Sequence, residues 1–389
     1  MNRMDERSLA PSILKDLQEK FVLLAGPRQV GKTTLAKKIL EKSGGKYYNW
    51  DLAEDRQSIL SKEFLQEKFV VLDELHKYDR WKNFLKGVYD KYHETLKILV
   101  TGSARLDVYQ RGGDSLLGRH FLYHLHPLTM GELSAPQKIL KPHDLLAASV
   151  STGGHDLFQN LLKWGGFPEP FFKGSEEAHN RWSLRRNDLL VREDIVDLTN
   201  IQLLSLVEHL MILLPSRVAS VLSVNSLKED LQVAYNTVQD WLRVFERLYI
   251  TFTLGPFTQR VQRAIHKEKK LYLWDWSQIK DEGKRFENFV ASHLWKAVHY
   301  WRDLGFGLFE LWFLRDRDRR EVDFCMTLDR KPWLLVEAKV SDTQPSEALQ
   351  YFSNRFQVRA LQIVSARDVE KRSGLTTVMS ADRWFPLLP

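Results

Sequence analysis

Short apolar runs alternate with amphipathic stretches along the first third of the chain. Three of these runs, FVLL at 21–24, FVVL at 69–72 and ILV at 98–100, are each followed by polar or glycine-containing sequence. Compact apolar runs separated by helical patterns are typical of a parallel sheet covered by helices. A further strand is predicted at 121–125, where FLYHL ends before Pro127. The pattern therefore predicts an α/β domain at the N-terminus.

The pattern becomes helical after this predicted sheet. Residues 145–200 show helical spacing interrupted by GGFP at 165–168, which we interpret as a small helical lid. Helical spacing continues over 203–256 and ends in a β-like run at 249–254. Within it, VAYNTVQDWLRVFERLY at 233–249 places its apolar residues on one face, as the recognition helix of a helix-turn-helix does. These features predict a winged helix.

A basic segment separates the two strands that would form the wing, at 249–254 and 271–274. Such a wing could lie along a phosphate backbone. The alternative is a winged helix that only packs against other domains, with a solvated basic segment. The basic residues of the segment are Arg260, Arg263, His266, Lys267, Lys269 and Lys270.

The C-terminal part of the chain combines one helical pattern with several short strands. The apolar stripe of the helix and the alternation of the strands predict a second α/β unit. The predicted elements are, in order, a helix at 285–295 and strands at 311–314, 321–326, 334–340 and 361–364, with another helix before the last strand.

Composition narrows the class of protein. A length of 389 residues predicts two or three domains, and 43% hydrophobic with 28% charged residues is typical of a globular chain. The N-terminus has no apolar signal core, no apolar run is long enough to cross a bilayer, and the single cysteine, Cys325, excludes an intramolecular disulfide. We therefore expect a soluble cytoplasmic protein with no membrane partner. The net charge of +7 is too mild to indicate nucleic-acid binding by itself.

Residues 26–34, GPRQVGKTT, match the phosphate-binding loop motif G-x-x-x-x-G-K-[ST]. The motif follows a predicted strand and opens a helical run, which is the context that it requires. Its glycines let backbone N–H groups turn toward phosphates, and the helix N-terminus adds a positive dipole end. Lys32 is expected to contact the β- and γ-phosphates of ATP, and Thr33 to ligate Mg²⁺. The predicted nucleotide-binding residues are Gly26, Pro27, Arg28, Gln29, Val30, Gly31, Lys32, Thr33 and Thr34.

Two carboxylates follow the predicted strand at 69–72. Asp73 is expected to hold Mg²⁺ through water, and Glu74 to orient and polarise the water that attacks the γ-phosphate. At the end of the next strand, Thr101 or Ser103 would sense the γ-phosphate or that water, with simple turn chemistry as the alternative. The sequence therefore predicts Mg²⁺-dependent hydrolysis of ATP.

Five motifs in order resemble a single family: GPRQVGKTT, VVLDELHK, VTGSAR, SLLGRHFLYHLHPLT and GGFPEPF. Over nearly its whole length the chain is similar to prokaryotic AAA+ ATPases with a C-terminal domain of unknown function, and to archaeal ATPases of similar layout. The resemblance implies a homo-oligomer in which an arginine from one subunit reaches the γ-phosphate bound by its neighbour. Arg119, just before a predicted strand, matches that position. Arg105 is the rival candidate, and a solvated helix-end arginine is the alternative interpretation of Arg119.

A second candidate site lies in the C-terminal unit. Asp323, in EVDF, and the EAK run at 337–339 lie on successive predicted strands, and alternation places Glu337 and Lys339 on one face. Asp323 and Glu337 could hold Mg²⁺ against a scissile phosphate, with Lys339 beside the attacking water. Glu287 lies off the apolar stripe of the preceding helix and could reach this site. The set resembles the PD-(D/E)xK nucleases, whose fold the family named above carries here.

We therefore predict an α/β protein in four segments. The predicted function is ATP hydrolysis acting on nucleic acid, with DNA favoured over RNA, through the winged helix and a metal-dependent nuclease-like domain. The alternative is an ATP-dependent regulatory switch whose nuclease-like domain is inactive and binds DNA or a protein partner. The segments are a P-loop AAA+ core at 1–135, a helical lid at 136–200, a winged helix-turn-helix at 201–275 and a restriction-endonuclease-like domain at 276–389.

Overall fold

The protein is described by a computed structural model, whose two compact units are Met1–His126 and Pro127–Pro389. The predicted boundaries at 135, 200 and 275 stay a prediction. In the described part of the chain no helix is long and apolar enough to cross a membrane. The described residues are 7–102, 116–134, 141–145, 154–195, 204–258 and 269–389.

A five-stranded parallel sheet forms the centre of the first unit, in the order β2-β3-β4-β1-β5. Every residue of β1 and β3 is buried, as expected for parallel strands covered on both faces. The predicted parallel sheet is therefore confirmed, with one additional edge strand, β2. The strands are β1 (Phe21–Ala25), β2 (Lys46–Asn49), β3 (Phe69–Asp73), β4 (Lys97–Thr101) and β5 (His120–His124).

Amphipathic helices flank the strands of this sheet along the chain. In the last of them the buried residues Trp81, Leu85 and Val88 recur at helical spacing, so one face packs into the apolar core that also contains residues of β1, β3 and β4. The helices are α1 (Ala10–Asp16), α2 (Lys32–Ser43), α3 (Ala53–Leu60) and α4 (Trp81–Tyr92), with 3₁₀ turns at Glu63–Gln66 and Leu75–Lys77.

The second unit begins with helices. The predicted break at 165–168 lies between two of them, where one helix ends at Trp164 and the next begins at Pro168. The helices are α5 (Met130–Leu133), α6 (Pro142–Leu145), α7 (His155–Trp164), α8 (Pro168–Lys173), α9 (Glu176–Leu189) with a π-helical extension at Leu190–Ile195, and α10 (Leu204–Arg217).

Two helices and an antiparallel hairpin follow: α11 (Val224–Leu231), α12 (Tyr235–Arg247), β6 (Thr251–Leu254) and β7 (Lys270–Leu273). The predicted buried face of α12, which includes Val238, Trp241 and Phe245, is confirmed. Val221 forms a single antiparallel bridge with Lys270, on the other side of β7 from β6. Four of the predicted basic wing residues lie outside the described residues: Arg260, Arg263, His266 and Lys267.

A six-stranded mixed sheet completes the second unit, in the order β12-β13-β11-β10-β9-β8. The four strands predicted in this part of the chain correspond to β8–β11. The two strands after β11 were not predicted. The elements are α13 (Glu282–Asp303), β8 (Phe309–Arg315), β9 (Glu321–Leu328), β10 (Lys331–Lys339), α14 (Glu347–Phe356), β11 (Arg359–Val364), β12 (Glu370–Ser373), β13 (Thr376–Ser380) and α15 (Ala381–Trp384).

The pairing of β8 with β9 contains an irregularity that reorients side chains. Trp312 pairs with Cys325 and Leu314 with Val322, so two residues of β9 lie opposite one of β8, as in a β-bulge. Val322 and Cys325, three positions apart, consequently pack into the same apolar cluster. Asp323 lies between them in sequence and contacts a different set of residues, described below.

A buried ion pair lies in the interior of the second unit. Lys296 Nζ, on α13, is 2.6 Å from Glu132 Oε2, on α5, and the two side chains are 4% and 2% exposed. The same ammonium donates to Thr129 Oγ1 at 3.0 Å. The hydroxyl of Thr129 in turn donates to the backbone oxygen of Pro389 at 3.1 Å. This chain of contacts attaches the C-terminus to α5 and α13.

His293, one turn earlier on α13, is expected to remain neutral in the folded protein at pH values where histidine is normally protonated. Its Nδ1 lies 2.9 Å from the Phe289 oxygen, and its Nε2 accepts the Met130 N–H at 3.2 Å. Burial lowers the pKa of His293 from 6.5 to about 3. Because the unfolded chain takes up this proton near pH 6.5, stability is retained above that pH and decreases as the pH falls from 6.5 toward 3.

Between pH 6.5 and pH 3, neutral His293 should lower the free energy of unfolding by up to about 1.4 kcal/mol for each unit by which the pH falls. Histidine ring ¹⁵N spectra between pH 8 and pH 5 check the protonation state directly, with the His293 signals assigned by their loss in His293→Gln. We expect a fixed neutral tautomer that carries its proton on Nδ1. A midpoint near pH 6 for these signals would contradict the prediction.

Candidate functional site

The loop at residues 26–31 joins β1 to α2, and two glycines determine its shape. Gly31 has a φ of +102° immediately before α2, a conformation that side chains other than hydrogen rarely allow. A Cβ atom on Gly26 would lie 2.4 Å from the backbone oxygen of Leu125. A glycine-shaped loop that leads directly into a helix N-terminus is the arrangement that binds phosphate in P-loop proteins.

Lys32 is the first residue of α2, and its side chain folds back over the loop. Its Nζ donates to the backbone oxygens of Gly26 at 2.9 Å and Pro27 at 2.8 Å. The ammonium is therefore held against the loop, where the motif predicts that it contacts phosphate oxygens.

The Asp73 carboxylate, at the end of β3, links the first turn of α2 to β2 and to the end of β4. Its Oδ2 accepts hydrogen bonds from Thr33 Oγ1 at 2.8 Å and from the Tyr47 hydroxyl at 2.6 Å. Its Oδ1 accepts from Thr101 Oγ1 and from the backbone N–H of Glu74. The structure thus brings together Thr33, Asp73 and Thr101, which the sequence had assigned to one site.

Tyr47 is a residue of this site that the sequence did not indicate. It lies on β2, whose pairing with β3 places Tyr47 opposite Val71, two positions before Asp73. Burial, together with the hydrogen bond to Asp73, raises the pKa of Tyr47, so its hydroxyl remains a donor. The only sequence signal was the run KYYN, which carries no motif.

Glu74 immediately follows Asp73 and has a left-handed backbone, with a φ of +55°. Burial raises the pKa of Glu74, and the nearby charge of Lys32 acts in the opposite direction. Glu74 Oε2 lies 3.6 Å from His76 Nε2. A carboxylate of raised basicity at the carboxyl end of β3 fits the predicted role of proton acceptor.

Arg119 lies just before β5, as predicted, and has a partner within its own chain. Its Nε donates to Asp90 Oδ1, on α4, at 2.7 Å, and both side chains are partly exposed. Its action on the nucleotide of a neighbouring subunit stays a prediction. Ser103 and Arg105 lie outside the described residues.

The donors around the loop fit a magnesium–nucleotide complex. The Thr33 hydroxyl and the Asp73 carboxylate, 2.8 Å apart, are the hard oxygen donors that Mg²⁺ prefers. Mg²⁺ usually keeps several waters and takes one or two protein oxygens together with phosphate oxygens. Such a site needs few protein ligands. The described part of the chain contains no group of three or more Asp, Glu, His or Cys side chains that could hold a metal ion.

The second candidate site contains a lysine among its carboxylates. Lys270 Nζ lies 2.7 Å from Glu321 Oε1 and 3.5 Å from both Glu287 Oε1 and Asp323 Oδ1. Burial acts to lower the pKa of Lys270, but the surrounding carboxylates outweigh it and raise the pKa. Lys270 is only 3% exposed. The prediction that it lies on an open basic wing was therefore wrong.

Glu287 reaches the predicted site from α13. Its Oε1 accepts a hydrogen bond from the Tyr272 hydroxyl at 2.9 Å. Burial, followed by the charge of Asp323, raises the pKa of Glu287 to about 8, although Lys270 acts in the opposite direction. Glu287 and Asp323 thus belong to one partly buried cluster around Lys270.

Glu337 and Lys339 form a separate pair at the end of β10, with 2.9 Å between Oε1 and Nζ. Glu337 Oε2 also accepts from Ser346 Oγ at 2.5 Å. Asp323 reaches this strand through the backbone, because its Oδ2 accepts the Ala338 N–H at 3.0 Å. The predicted nuclease residues are therefore neighbours, but Asp323 and Glu337 each have other partners. Among the residues that the structure describes, they form no metal-holding group with a third ligand.

Three family models match successive parts of the chain. The AAA domain matches residues 18–134, and two domains of unknown function, DUF8612 and DUF4143, match residues 155–278 and 282–384. No curated protein matches the chain. The AAA match confirms the prediction of a P-loop ATPase domain at the N-terminus, and the DUF4143 match assigns no activity to the C-terminal sheet.

Several solved structures share limited similarity with the chain. The Aeropyrum pernix ORC1 protein in complex with DNA is 14% identical, covers 74% of this chain and 93% of its own, and has a TM-score of 0.35. A Thermotoga maritima RuvB variant is 15% identical over 65% and 89% of the two chains, with a TM-score of 0.30. Bacteroides Pif1 bound to ssDNA is 16% identical over 41% and 56%, with a TM-score of 0.22. Similarity at this level carries no argument about activity.

Proposed function

We propose that this protein is a Mg²⁺-dependent ATPase that acts on nucleic acid. The observation that carries the ATPase proposal is the 2.8 Å hydrogen bond between Thr33 and Asp73. It connects the phosphate-binding loop to the strand end that supplies the predicted acidic residues. The match of residues 18–134 to the AAA domain supports the same activity.

Each side chain at this site has a distinct role. Lys32 binds the β- and γ-phosphates, and the loop amides bind the remaining phosphate oxygens. Thr33 and Asp73 would hold Mg²⁺, Asp73 through water, and Glu74 would accept a proton from the attacking water. When bound, Mg²⁺ neutralises charge on the phosphate oxygens. Arg119 of a neighbouring subunit would complete the site in a homo-oligomer.

The nucleic-acid proposal rests on helix α12. Asn236 and Arg243 are exposed, Gln239 is partly exposed, and the opposite face of the helix is buried. Such side chains hydrogen-bond to base edges when a helix enters the major groove of DNA. Because the major groove of double-stranded RNA is too narrow for this contact, we propose DNA as the substrate class.

A second candidate function is an ATP-dependent switch whose C-terminal sheet does not cleave DNA. The contact of Lys270 with Glu287, Glu321 and Asp323 favours this function over a metal-dependent nuclease. In this function ATP controls binding of DNA or of a protein partner, and the fold of a nuclease serves only as a binding surface.

The test is ATP hydrolysis by the full chain with Mg²⁺, measured with and without duplex DNA at several salt concentrations. We expect duplex DNA to stimulate ATP hydrolysis more than double-stranded RNA does. The stimulation should be lost as the salt concentration increases, because phosphate contacts release counterions.

Lys32→Ala should weaken ATP binding by at least about tenfold, since it removes the cation that faces the phosphates.

The matched control is Lys42→Ala, which removes an exposed lysine from the last turn of the same helix. The control should bind and hydrolyse ATP as the wild type does. Absence of hydrolysis in the wild type would reject the ATPase. Hydrolysis that neither DNA nor RNA changes would retain the ATPase and reject the action on nucleic acid.

A further inference from the structure

Lys270 makes ionic contacts with carboxylates from two different elements. Glu321 and Asp323 come from β9, and Glu287 comes from α13. The Nζ–O distances are 2.7 Å to Glu321 and 3.5 Å to each of the other two. One ammonium therefore contacts three carboxylates, of which Glu321 also lies 3.7 Å from Arg315 Nε. The neighbouring Lys339 pairs with Glu337.

The position of Lys270 is determined by strand pairing and by burial. Its backbone pairs with Leu254 in the hairpin and with Val221 on the other side. Its ammonium also lies 5.6 Å from the centre of the Phe313 ring. Because its backbone is paired on both sides and its side chain is 3% exposed, Lys270 lies in the protein interior. It is not a solvent-exposed charge that happens to approach an acidic surface.

A divalent cation would need the same oxygens. Mg²⁺ binds carboxylate oxygens at about 2.0–2.1 Å and demands a nearly octahedral set of ligands. An ammonium within about 4 Å of the same oxygens would also repel the cation, and in a buried site this repulsion is only weakly screened. Lys270 and a metal ion therefore exclude each other from the cluster. With Lys270 in place, the described part of the chain has no group of three or more Asp, Glu, His or Cys side chains placed to hold a metal ion.

We propose that Lys270 takes the place of the divalent cation in the cluster of Glu287, Glu321 and Asp323, and that the wild-type cluster consequently binds neither Mg²⁺ nor Mn²⁺. The residues predicted for a nuclease are present, but the cation on which such hydrolysis depends is replaced by a side chain of the chain itself. In this respect the C-terminal sheet differs from the metal site that its sequence pattern indicates.

The test measures binding of Mn²⁺ to the full chain in the absence of nucleotide. Electron paramagnetic resonance reports the concentration of free Mn²⁺, and the decrease in this signal gives the amount bound. We expect the wild type to show no Mn²⁺ site that depends on Asp323. Lys270→Met should gain one site per chain, at least about tenfold tighter than any binding by the wild type, because Glu287 and Asp323 lose the ammonium that lies 3.5 Å from each of them. Adding Asp323→Asn to Lys270→Met should remove the new site.

Thermal unfolding gives a second, independent readout. In a chelator, Lys270→Met should unfold at a lower temperature than the wild type, because it leaves the partly buried carboxylates of Glu287 and Asp323 without their ammonium partner. Millimolar Mn²⁺ should raise the unfolding temperature of Lys270→Met and leave that of Lys270→Met/Asp323→Asn unchanged, since only a folded site that binds the ion is stabilised by it.

Two further variants keep the test decisive if Lys270→Met folds poorly. Lys270→Met/Glu321→Gln removes one charge of each sign and should also gain the Mn²⁺ site. Lys331→Met, which removes an exposed lysine at the start of β10, should behave as the wild type. An Asp323-dependent Mn²⁺ site in the wild type would overturn the proposal. Absence of Mn²⁺ binding in both folded Lys270 variants would overturn it as well.

Discussion

Replacement of Glu74 by glutamine is expected to lower kcat for ATP hydrolysis by about 10²–10⁴-fold while ATP binding is retained. Glutamine keeps the size and the hydrogen-bonding reach of the side chain but cannot accept a proton from water. Lys32, Thr33 and Asp73 remain in place, so the contacts expected to bind Mg²⁺ and phosphate are unchanged. The measurement is kcat with Mg²⁺ and ATP, beside the Kd of a fluorescent nucleotide.

The pH profile provides a second check on the role of Glu74. Because burial raises the pKa of Glu74, kcat of the wild type should begin to fall at a higher pH than an ordinary glutamate would allow, as the base becomes protonated. The residual activity of Glu74→Gln should lack this acid limb. Glu41→Gln, an exposed position on α2, should leave kcat unchanged. Near-normal kcat in Glu74→Gln would show that another group accepts the proton.

The structure brings Thr33 and Asp73 together as the sequence predicts, because the signals for both residues are local. The loop at 26–34 is defined by its own glycines, and Asp73 and Glu74 directly follow a buried strand. Tyr47 could not be predicted in this way. Its hydrogen bond to Asp73 depends on the register between β2 and β3, which tertiary pairing determines and local pattern does not.

The C-terminal site shows a different limit of the sequence. The strands that carry Asp323 and Glu337 were predicted, but the partner of the carboxylates was not. Lys270 precedes Glu287 by 17 positions and Asp323 by 53, and it lies in a stretch whose charges look solvated in the sequence. A buried lysine and an exposed lysine give the same pattern when the acidic partners come from distant elements.

A strand made of polar residues also cannot be predicted from the hydrophobic pattern of the sequence. All four residues of β12, EKRS at Glu370–Ser373, are exposed, because this strand lies at the edge of the sheet. An edge strand with charged side chains has no apolar alternation to detect, although it protects the sheet against pairing with other chains. The predicted sheet was consequently smaller than the one in the structure.

Replacement of Lys296 by methionine is expected to cost about 3–5 kcal/mol of unfolding free energy in the second unit. The change leaves the Glu132 carboxylate, which is 2% exposed, without the ammonium 2.6 Å away. It also removes the donor to Thr129 Oγ1, and with it the contact of α13 with the residue that binds Pro389. Guanidinium unfolding and hydrogen–deuterium exchange of α13 measure the loss.

Two comparisons separate the loss of a buried partner from the loss of any charge. Lys173→Met removes the exposed pair with Glu169, whose side chains are 56% and 46% exposed, and should cost less than about 0.5 kcal/mol. Lys296→Met/Glu132→Leu should recover most of the stability lost in the single variant, because the double change leaves no unpaired charge in the interior. If the double variant were as unstable as Lys296→Met, packing of the lysine stem, and not the unpaired carboxylate, would be the cause of the loss.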